Sequence, residues 1–407
     1  MKKNFNLTLY FLLIAVAALP QPNTPFDYPK VIKNQEILDY LSQINADTLV
    51  AHIQALENFF TRRCDHPNSI LAQNWVAGKL KSYDLELFLY PLDPPIFPWW
   101  GGVCVSENVV AIQYGTEFPD EFVVCGGHYD SFAFLSSHGE PGADDNATGA
   151  AGIIETARIL SQHKFKRSII YCSFTAEESG MDGSRQYVEK CAEKGMKILG
   201  YINLDMTGYL TPGNKINFAL IYPNSAQPLA DYFVDICDVY LPEVPIKHYE
   251  MLPWGDSDHT SFNMNGYQGV WCFEDIAEIT PYYHTPLDKL GCSVNNPEQV
   301  RVFTQANLAS LATLAIPDRE VNITEYDAGY QIYPNPTTGE LRITNYELGP
   351  ELNSGTDIEI YDIYGRKLSS HHLIPSSTNH LINISHLPAG IYLIKAGNDF
   401  IGKFIKN

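Results

Sequence analysis

Short runs of apolar residues alternate, along the first three quarters of the chain, with longer segments whose apolar residues recur at helical spacing. Apolar runs of this kind, bounded by polar residues, predict strands that are buried on both faces of a sheet. The clearest runs are 122–125 (FVVC), 168–174 (SIIYCSF), 200–204 (GYINL) and 268–273 (QGVWCF). Strands that alternate with helices indicate an α/β fold with a mainly parallel central sheet flanked by helices.

The longer segments carry an apolar residue at every third or fourth position, which predicts helices that pack one face on the sheet. The predicted helices are 35–62, 70–82, 148–162, 181–193, 226–240 and 297–315. Two further strands are predicted at 85–90 and 215–222, and the first should lie at an edge because a proline-rich loop follows it.

Beyond about residue 317 the pattern changes to short runs in which apolar and polar residues alternate. Such alternation predicts strands with one buried face, and turn sequences such as NP at 335–336 and PAG at 388–390 separate them. We therefore predict a small C-terminal β-sandwich at 330–407, which a polar linker at 321–329 joins to a main domain at 19–320.

The first residues have the pattern of an export signal. Two lysines precede the apolar stretch 7–19, and small residues lie at 16–18, so we predict a signal peptide at 1–18. A membrane anchor is the alternative, but the stretch is shorter than a bilayer requires. We expect a mature chain without a transmembrane anchor, located outside the cytoplasm.

Composition limits the partners. The 407 residues include 47 acidic and 27 basic ones, a formal net charge of −20, which argues against nucleic acid and anionic membranes as partners. Three of the eight cysteines, Cys125, Cys172 and Cys272, lie in predicted central strands, where a thiol packs as a small apolar group. The other five could pair in an oxidising compartment, and their spacing does not say which.

Acidic and imidazole residues follow the predicted central strands. Open α/β sheets place their ligand sites beyond the carboxyl ends of strands, so we expect these side chains to meet at one edge. The five candidate metal ligands are His128, Asp145, Glu178, Asp205 and His284. Residues two apart in an extended segment project to the same side, so Asp130 is expected to reach the ring nitrogen of His128 that a metal leaves free.

Charge balance indicates what such a cluster would hold. Three carboxylates in a partly dry crevice repel one another unless protons or cations compensate them. Two divalent ions sharing one hydroxide would do so, and mixed imidazole and carboxylate ligands favour zinc. Two ions about 3.5–4 Å apart lower the pKa of a shared water toward roughly 7, so we predict hydrolysis with two Zn2+ per chain.

Six motifs in this part of the chain resemble those of the M28 zinc aminopeptidases, over about residues 37–314. They are HYDS at 128–131, GADDNATG at 142–149, AEESG at 176–180, NLDM at 203–206, SDH at 257–259 and YYHTPLD at 282–288. The resemblance implies a zinc-peptidase fold of the phosphorylase/hydrolase-like kind. It also implies that Asp145 bridges the two ions, with Glu178 and His284 completing one site and His128 and Asp205 the other.

The same resemblance implies the catalytic residues. Glu177 would be the general base that takes a proton from the water and passes it to the leaving amine. Tyr283 is similar to a tyrosine that polarises the substrate carbonyl in some members of the family. A cis peptide after the bridging aspartate is common in the family, which here would be Asp145–Asn146.

The loop at 251–259 is a candidate border of the substrate pocket because it carries Trp254, Asp258 and His259. A structural turn with a hydrogen-bonded histidine is the alternative for this loop. Trp99 and Trp100, in the proline-rich loop, could also line a pocket for an apolar side chain, although packing in the core or crevice is the favoured interpretation.

Three C-terminal motifs resemble the sorting domain of the type IX secretion system: YPNPTTGEL, IYDIYGRKL and LPAGIYLIKA. The likeness implies that the type IX secretion machinery is a partner and that the protein is secreted or held at the cell surface. A passive or sugar-binding β module is the alternative, because β-sandwiches serve many roles.

Together these observations predict an exported two-zinc aminopeptidase that hydrolyses N-terminal residues from peptide substrates. A glutaminyl-peptide cyclotransferase (glutaminyl cyclase) using a single zinc is the alternative enzyme, since that group is similar in its motifs. A non-catalytic binding domain is a third possibility, but such a domain would be expected to have lost some of the ligands.

Overall fold

A computed structural model describes residues 26–134, 139–250, 257–318, 330–345, 357–362, 365–372, 379–396 and 399–407. The chain divides into two compact units, Met1–Arg319 and Glu320–Asn407. The predicted signal peptide, the predicted linker at 321–329 and Trp254 lie outside the described residues.

The first unit is built on one eight-stranded sheet. Its strands are β1 (Glu86–Tyr90), β2 (Asn108–Gln113), β3 (Phe118–His128), β4 (Arg167–Phe174), β5 (Lys197–Leu204), β6 (Phe218–Tyr222), β7 (Ile246–Glu250) and β8 (Gly269–Phe273). They lie in the order β1-β2-β4-β3-β5-β8-β6-β7. The central strands β4, β3, β5 and β8 run parallel, whereas β1 and β2 are antiparallel at one edge and β6 is antiparallel to β8. The predicted mainly parallel sheet is confirmed.

Eight helices cover the sheet in the described part of this unit: α1 (Gln35–Leu41), α2 (Ala46–Glu57), α3 (Pro67–Lys81), α4 (Gly149–Leu160), α5 (Asp182–Glu193), α6 (Gln227–Tyr240), α7 (His259–Met264) and α8 (Pro297–Ala315). Successive residues of β3 project to opposite faces, so Val123 and Cys125 join the core under α2, α4 and α8, while Val124 joins the core under α5 and α7.

The predicted single helix at 35–62 is wrong, because the structure contains two helices, α1 and α2. The break lies at Asn45, whose side chain accepts hydrogen bonds from the backbone N–H groups of Asp47 and Thr48 and so caps a new helix. Apolar residues continue at helical spacing across this cap, so periodicity alone did not indicate the break. The strand β2 and the short helix α7 were also missed.

The second unit consists of two antiparallel sheets, as predicted for a small β-sandwich. Its strands are β9 (Tyr330–Tyr333), β10 (Glu340–Asn345), β11 (Asp357–Asp362), β12 (Lys367–His372), β13 (Asn379–Asn383), β14 (Gly390–Ala396) and β15 (Asp399–Lys406). One sheet has the order β13-β10-β9 and the other β12-β11-β14-β15. Isoleucines from both sheets, including Ile343, Ile360 and Ile394, fill the core between them.

The described cysteines include one disulfide and several buried thiols. Cys64 and Cys104 form a disulfide, and Cys125, Cys172 and Cys272 are buried free thiols in β3, β4 and β8. Of the helices in the described ranges, none combines the length and the apolar character needed to cross a bilayer.

Candidate metal centre

The candidate ligands meet where neighbouring parallel strands end. His128 is the last residue of β3, Asp205 directly follows β5, and Glu178 follows β4 by four residues. Asp145 lies in an irregular helical segment, Ala143–Thr148, between β3 and α4, and His284 lies in the loop between β8 and α8. Parallel pairing places these strand ends at one edge of the sheet, so the topology brings together the five residues proposed from the sequence.

Asp145 occupies the middle of this cluster. Its Oδ1 is 3.3 Å from Nε2 of His128, and its Oδ2 is 3.2 Å from Nε2 of His284. Asp205 Oδ1 is 3.4 Å from the same nitrogen of His128, and Glu178 Oε2 is 3.0 Å from that of His284. Two groups of three potential ligands, each with atoms within 4.8 Å of one another, therefore share one carboxylate.

The spacing and the bonding of these atoms fit zinc. Ligands that bind a tetrahedral zinc at about 2.0–2.1 Å lie roughly 3.3 Å from one another, close to the separations above. Three buried ligand atoms, Oε1 of Glu178, Oδ1 of Asp205 and Nε2 of His284, make no hydrogen bond of acceptable geometry in the described part of the chain, despite the short distances above. Buried polar atoms are usually satisfied, so these three atoms indicate places for a cation.

The backbone around the cluster is locally strained. Ala176, Met206 and His284 have φ values of 57°, 55° and 53°, in the left-handed region that residues with a Cβ rarely adopt. Each lies in or next to a segment that carries a candidate ligand, and such strain concentrates at functional sites. The peptide bond between Asp145 and Asn146 is cis, as the family resemblance implied.

Asn146 holds the segment around Asp145 in place. Its Nδ2 donates to the carbonyl oxygen of Leu204 at 2.9 Å, and its Oδ1 accepts from the backbone N–H of Gly149 at 2.8 Å. Gly149 is packed so closely that a Cβ there would lie 2.2 Å from the Leu204 oxygen. The first turn of α4 therefore needs glycine to approach the end of β5.

Asp288 connects the His284 loop to the Asp145 segment. Its Oδ1 accepts from the backbone N–H of Asp144 at 2.8 Å, and its Oδ2 accepts from that of Asp145 at 3.1 Å. The carboxyl group is buried, and burial together with the charge of Asp145 raises its pKa to about 7. One side chain thus sets the position of both segments.

Asp130 makes contacts that the sequence analysis only partly predicted. Its Oδ1 is 3.5 Å from Nδ1 of His128, but the Asp130 carbonyl oxygen is closer to that nitrogen, at 3.2 Å. The Asp130 carboxylate also accepts from the backbone N–H groups of Glu177 at 3.2 Å and Glu178 at 3.4 Å. It therefore positions the glutamate pair as well as the histidine.

Ser257 and Asn203 orient Asp205 and were not identified from the sequence. The Ser257 hydroxyl donates to Oδ2 of Asp205 at 2.6 Å and accepts from Nδ2 of Asn203 at 2.6 Å. Both residues belong to motifs that resemble the M28 family, so the motifs contained the signal. The interpretation of SDH as a substrate loop directed attention to the wrong side chains.

Arg62 is a third residue that was not identified from the sequence. Its guanidinium is buried and donates to the carbonyl oxygens of Tyr129, Pro141 and Gly142 at 2.6, 2.5 and 2.7 Å. Burial lowers its pKa to about 10 against the opposing effect of the nearby carboxylates, so it is still charged near neutral pH. A buried cation therefore stands behind the acidic cluster and holds the segment that leads to Asp145.

The histidines and the central aspartate perturb each other. Burial acts to lower the pKa of His128, but the charges of Asp205 and Glu177 outweigh it and raise that pKa well above its usual value. Likewise burial is outweighed at His284, where Asp145 and Glu178 raise the pKa to about 10. Burial opposes ionisation of Asp145, yet the two histidines hold its pKa below the usual range.

Glu177 and Tyr283 border the cluster. Oε2 of Glu177 lies 3.9 Å from Nε2 of His128, and its side chain is slightly exposed. Burial raises the pKa of Glu177 well above its usual value; the charge of Glu178 adds to this rise, and His128 opposes it. The Tyr283 ring stacks on His284 with 3.8 Å between centroids, and burial and the nearby carboxylates raise the pKa of its hydroxyl, so it is a neutral hydrogen-bond donor.

The predicted substrate contacts of Asp258 and His259 are corrected by the structure. The two residues are 0% and 1% exposed and lie at the start of α7, where no surface is left for a substrate. Burial lowers the pKa of His259 to about 3, and its ring packs 5.4 Å from that of Trp271. This packing favours a structural role for the histidine, but not the hydrogen-bonded one proposed as the alternative, because its Nδ1 has no hydrogen-bond partner in the described part of the chain.

This arrangement defines a class of protein. Two ligand triplets that share a carboxylate, with a further glutamate beside them, lie at the carboxyl edge of a mainly parallel sheet, as expected of a metal-dependent hydrolase. Residues 108–308 match the model of peptidase family M28, and residues 331–406 match that of the secretion system C-terminal sorting domain. Residues 108–308 therefore form a peptidase family M28 region and residues 331–406 a sorting domain, which confirms both resemblances predicted from the sequence.

Individual proteins agree with this assignment. A probable aminopeptidase of Saccharomyces cerevisiae is 24% identical over 282 residues, which are 66% of this chain and 74% of the yeast protein. A probable zinc metalloprotease of Pyrenophora teres is 32% identical over 199 residues, 44% of this chain and 42% of the relative. Such matches support a metallo-aminopeptidase, the enzyme class predicted above.

Solved structures show the same fold. The Legionella pneumophila aminopeptidase LapA superposes with a TM-score of 0.62 at 23% identity, covering 72% of this chain and 78% of LapA. A Bacteroides thetaiotaomicron glutaminyl cyclase superposes with a TM-score of 0.55 at 17% identity, covering 66% of this chain and 98% of the cyclase. Aminopeptidases and cyclases thus share this fold, so the fold alone does not choose between them.

Proposed function

We propose that this protein is an exported zinc-dependent aminopeptidase that removes N-terminal residues from peptides with two metal ions. The observation that carries the proposal is the placement of Asp145, whose two carboxylate oxygens face different histidines. Because one oxygen is available to each triplet, this residue is suited to bridge two ions. The zinc metalloprotease among the relatives supports zinc as the metal.

Each triplet would hold one ion. Glu178 and His284 would complete one site with Asp145, and His128 and Asp205 would complete the other. When bound, a pair of zinc ions lowers the pKa of a water between them and stabilises negative charge on the substrate carbonyl. Asp130 and Ser257 would fix the orientation of the ligands, as outer hydrogen-bond partners do at metal sites.

Glu177 would move the proton. Its carboxylate lies beside the cluster without belonging to either triplet, so it is free to take a proton from the attacking water and give it to the leaving amine. The neutral hydroxyl of Tyr283 would donate a hydrogen bond to the substrate carbonyl as charge develops on it. Carboxylates at the edge of the cluster would hold the free amine of the substrate.

The second unit gives the proposed location. A C-terminal sorting domain indicates export to the outside of the cell or to its surface. We propose the type IX secretion machinery as its partner, a signal peptide at 1–18, a peptidase domain at 19–320, a linker at 321–329 and the sorting domain at 330–407. Peptides are the proposed substrates.

A glutaminyl cyclase with a single zinc is the second candidate, and the likeness to the Bacteroides thetaiotaomicron enzyme favours it. A single-zinc site would need only one of the two triplets. Both triplets are complete in this chain, so the shared Asp145 favours the aminopeptidase.

The proposal is tested with Glu177→Gln, using Glu189→Gln as the matched control because Glu189 lies on the exposed face of α5. We expect the Glu177 variant to retain its zinc and to lose about 10²- to 10⁴-fold in the rate of leucine 4-nitroanilide hydrolysis. The control should behave as wild type. Near-normal activity of Glu177→Gln would refute its role, and ring closure of a glutaminyl peptide without anilide hydrolysis would favour the cyclase.

A further inference from the structure

Four aromatic side chains form a continuous surface beside the candidate metal centre. We call Trp99, Trp100, Phe132 and Phe134 the aromatic wall. Phe132 is its centre, with ring centroids 5.2 Å from Trp99, 5.1 Å from Trp100 and 5.2 Å from Phe134. The two outer rings face solvent, since Trp99 is 66% and Phe134 71% exposed, so the wall presents an apolar surface that needs an explanation.

The wall contacts a proposed metal ligand. The rings of Phe132 and Phe134 lie 5.2 and 5.7 Å from the His284 ring, and the Phe134 backbone N–H donates to the His284 carbonyl oxygen at 3.2 Å. A substrate side chain resting on the wall would therefore be one side-chain length from the reaction centre.

The loop that carries the tryptophans is firmly anchored. The Cys64–Cys104 disulfide closes it, Trp100 Nε1 donates to Asp65 Oδ1 at 3.1 Å, and the Arg63 guanidinium lies 5.9 Å from the Trp100 ring. A binding surface benefits from such anchoring because little ordering is left to occur when a ligand binds.

The anchor also leads to the proposed general base. Cys64, Cys104 and Trp100 pack in one small apolar cluster with Ala176, the residue that directly precedes Glu177. Glu177 must deliver its proton to the leaving amine, so the residue that bears this amine lies next to Glu177. Because Trp100 of the wall packs in the same cluster as Ala176, the wall lies on the side of the site that faces the substrate residue after the cleaved bond.

The side chains next to Asp205, the ligand in the other triplet, are buried. Met206 and Trp271 are buried beside Asp205, whose carbonyl oxygen accepts from Trp271 Nε1 at 3.2 Å. An enzyme that cuts one residue from an amino terminus needs a closed end for that residue and an open side through which the rest of the peptide leaves. The exposed wall fits the open side.

We propose that the aromatic wall binds the side chain of the second residue of the peptide and makes this enzyme prefer substrates with an apolar or aromatic second residue. This inference rests on the proposed aminopeptidase function. An aromatic side chain of the substrate can pack against Trp99 and Phe134 in a stacked or edge-to-face geometry while its outer face remains in water.

The test compares two capped dipeptides, leucyl-phenylalanine amide and leucyl-glycine amide, which differ only in the second residue. For the zinc-loaded wild-type enzyme we expect kcat/KM to be higher for the phenylalanine substrate by about 10-fold, as for one partly buried apolar group. Trp99→Ala and Phe134→Ala should each reduce this ratio toward about 1–3, whereas Trp99→Phe should keep most of it because a ring is retained.

Tyr114→Ala is the matched control. Tyr114 is also an exposed aromatic residue, but it follows β2, which runs antiparallel to β4, so it lies at the opposite edge of the sheet. This variant should keep the wild-type ratio, and melting temperatures should show that all four variants are folded.

The possible results separate the two claims. An active wild-type enzyme with no preference for the phenylalanine substrate, or alanine variants with an unchanged ratio, would overturn the role of the wall and leave the aminopeptidase proposal standing. Failure of the zinc-loaded enzyme to hydrolyse either substrate would overturn the aminopeptidase proposal and the role of the wall with it.

Discussion

Replacement of Asp288 by asparagine tests how the metal centre is held together. Asp288 accepts the backbone N–H groups of Asp144 and Asp145 with separate oxygens, at 2.8 and 3.1 Å. Asparagine has one oxygen and one amide nitrogen of similar size, so it can accept only one of these bonds. The other N–H group would face the N–H₂ of the new side chain in a buried place.

The expected cost follows from these two bonds. A hydrogen bond to a charged acceptor contributes about 1.5–3 kcal/mol, and a buried donor without a partner costs about 1–3 kcal/mol. We therefore expect Asp288→Asn to lower the free energy of unfolding by about 2–4 kcal/mol. Since the lost bond holds the Asp145 segment against the His284 loop, zinc affinity should also fall by about 10- to 100-fold, as for other residues that orient ligands.

The assay is a chemical unfolding curve of the metal-free protein together with a zinc titration at pH 8. Glu155→Gln is the control, because Glu155 is also buried and accepts from the Asn45 backbone and from Arg158, but belongs to α4 away from the ligands. The control should lose stability and keep its zinc affinity. Equal zinc affinities for Asp288→Asn and wild type would refute the reasoning that this residue positions the ligands.

Three further outcomes are expected. Gly149→Ala should weaken zinc binding and lower the melting temperature, because the added Cβ would lie 2.2 Å from the Leu204 oxygen. Gly78→Ala, where a Cβ would have no atom within 4 Å, should instead stabilise α3 by about 0.5–1 kcal/mol. Thermal melts with and without zinc check both variants. Burial lowers the pKa of His52 to about 4, so its neutral form stabilises the folded state above pH 6.5, and this contribution, up to about 3 kcal/mol, is lost as the pH falls to 4. Urea unfolding of wild type and His52→Leu across that range should show that the wild-type free energy of unfolding falls more steeply. Equal pH dependence of the two proteins would contradict this prediction. Chelation should abolish peptide hydrolysis and lower the melting temperature, and added zinc should restore both; hydrolysis that persists after the metal is removed would contradict the account.

The residues at the strand ends could be predicted from the sequence because two independent patterns agree there. Apolar runs locate the buried strands, and parallel strands place their following residues at one edge. His128 and Asp205 follow directly from this reasoning. His284 does not end a strand and was included because a short loop leads to it from the strand predicted at 268–273; the structure places it against the same carboxylate.

The supporting residues could not be predicted in the same way. Arg62 contacts carbonyl groups that are 67 to 80 residues away along the chain, and nothing in its local sequence indicates this. Ser257 reaches Asp205 across 52 residues, so its role depends on how β5 and α7 pack. Such roles depend on tertiary contacts, which the local pattern of apolar and polar residues does not indicate.

The error at Asp258 and His259 has a physical cause. Polar residues in a loop that resembles a functional motif suggested contact with substrate, but the residues begin a short helix whose first turn is buried. The motif supplies its function through Ser257, the residue before them. The residue types of the motif therefore indicated that it belongs to the site, but only the structure shows that Ser257 is the residue that contacts a proposed ligand.

The central claim is that one chain holds two zinc ions that share Asp145 and that both are needed for peptide hydrolysis. Titration of the metal-free protein with zinc, following bound metal and leucine 4-nitroanilide hydrolysis in the same samples, tests it most directly. We predict two zinc ions per chain at full activity and weaker binding at both sites in Asp145→Ala. Full activity with one bound zinc and no second binding event would contradict the account.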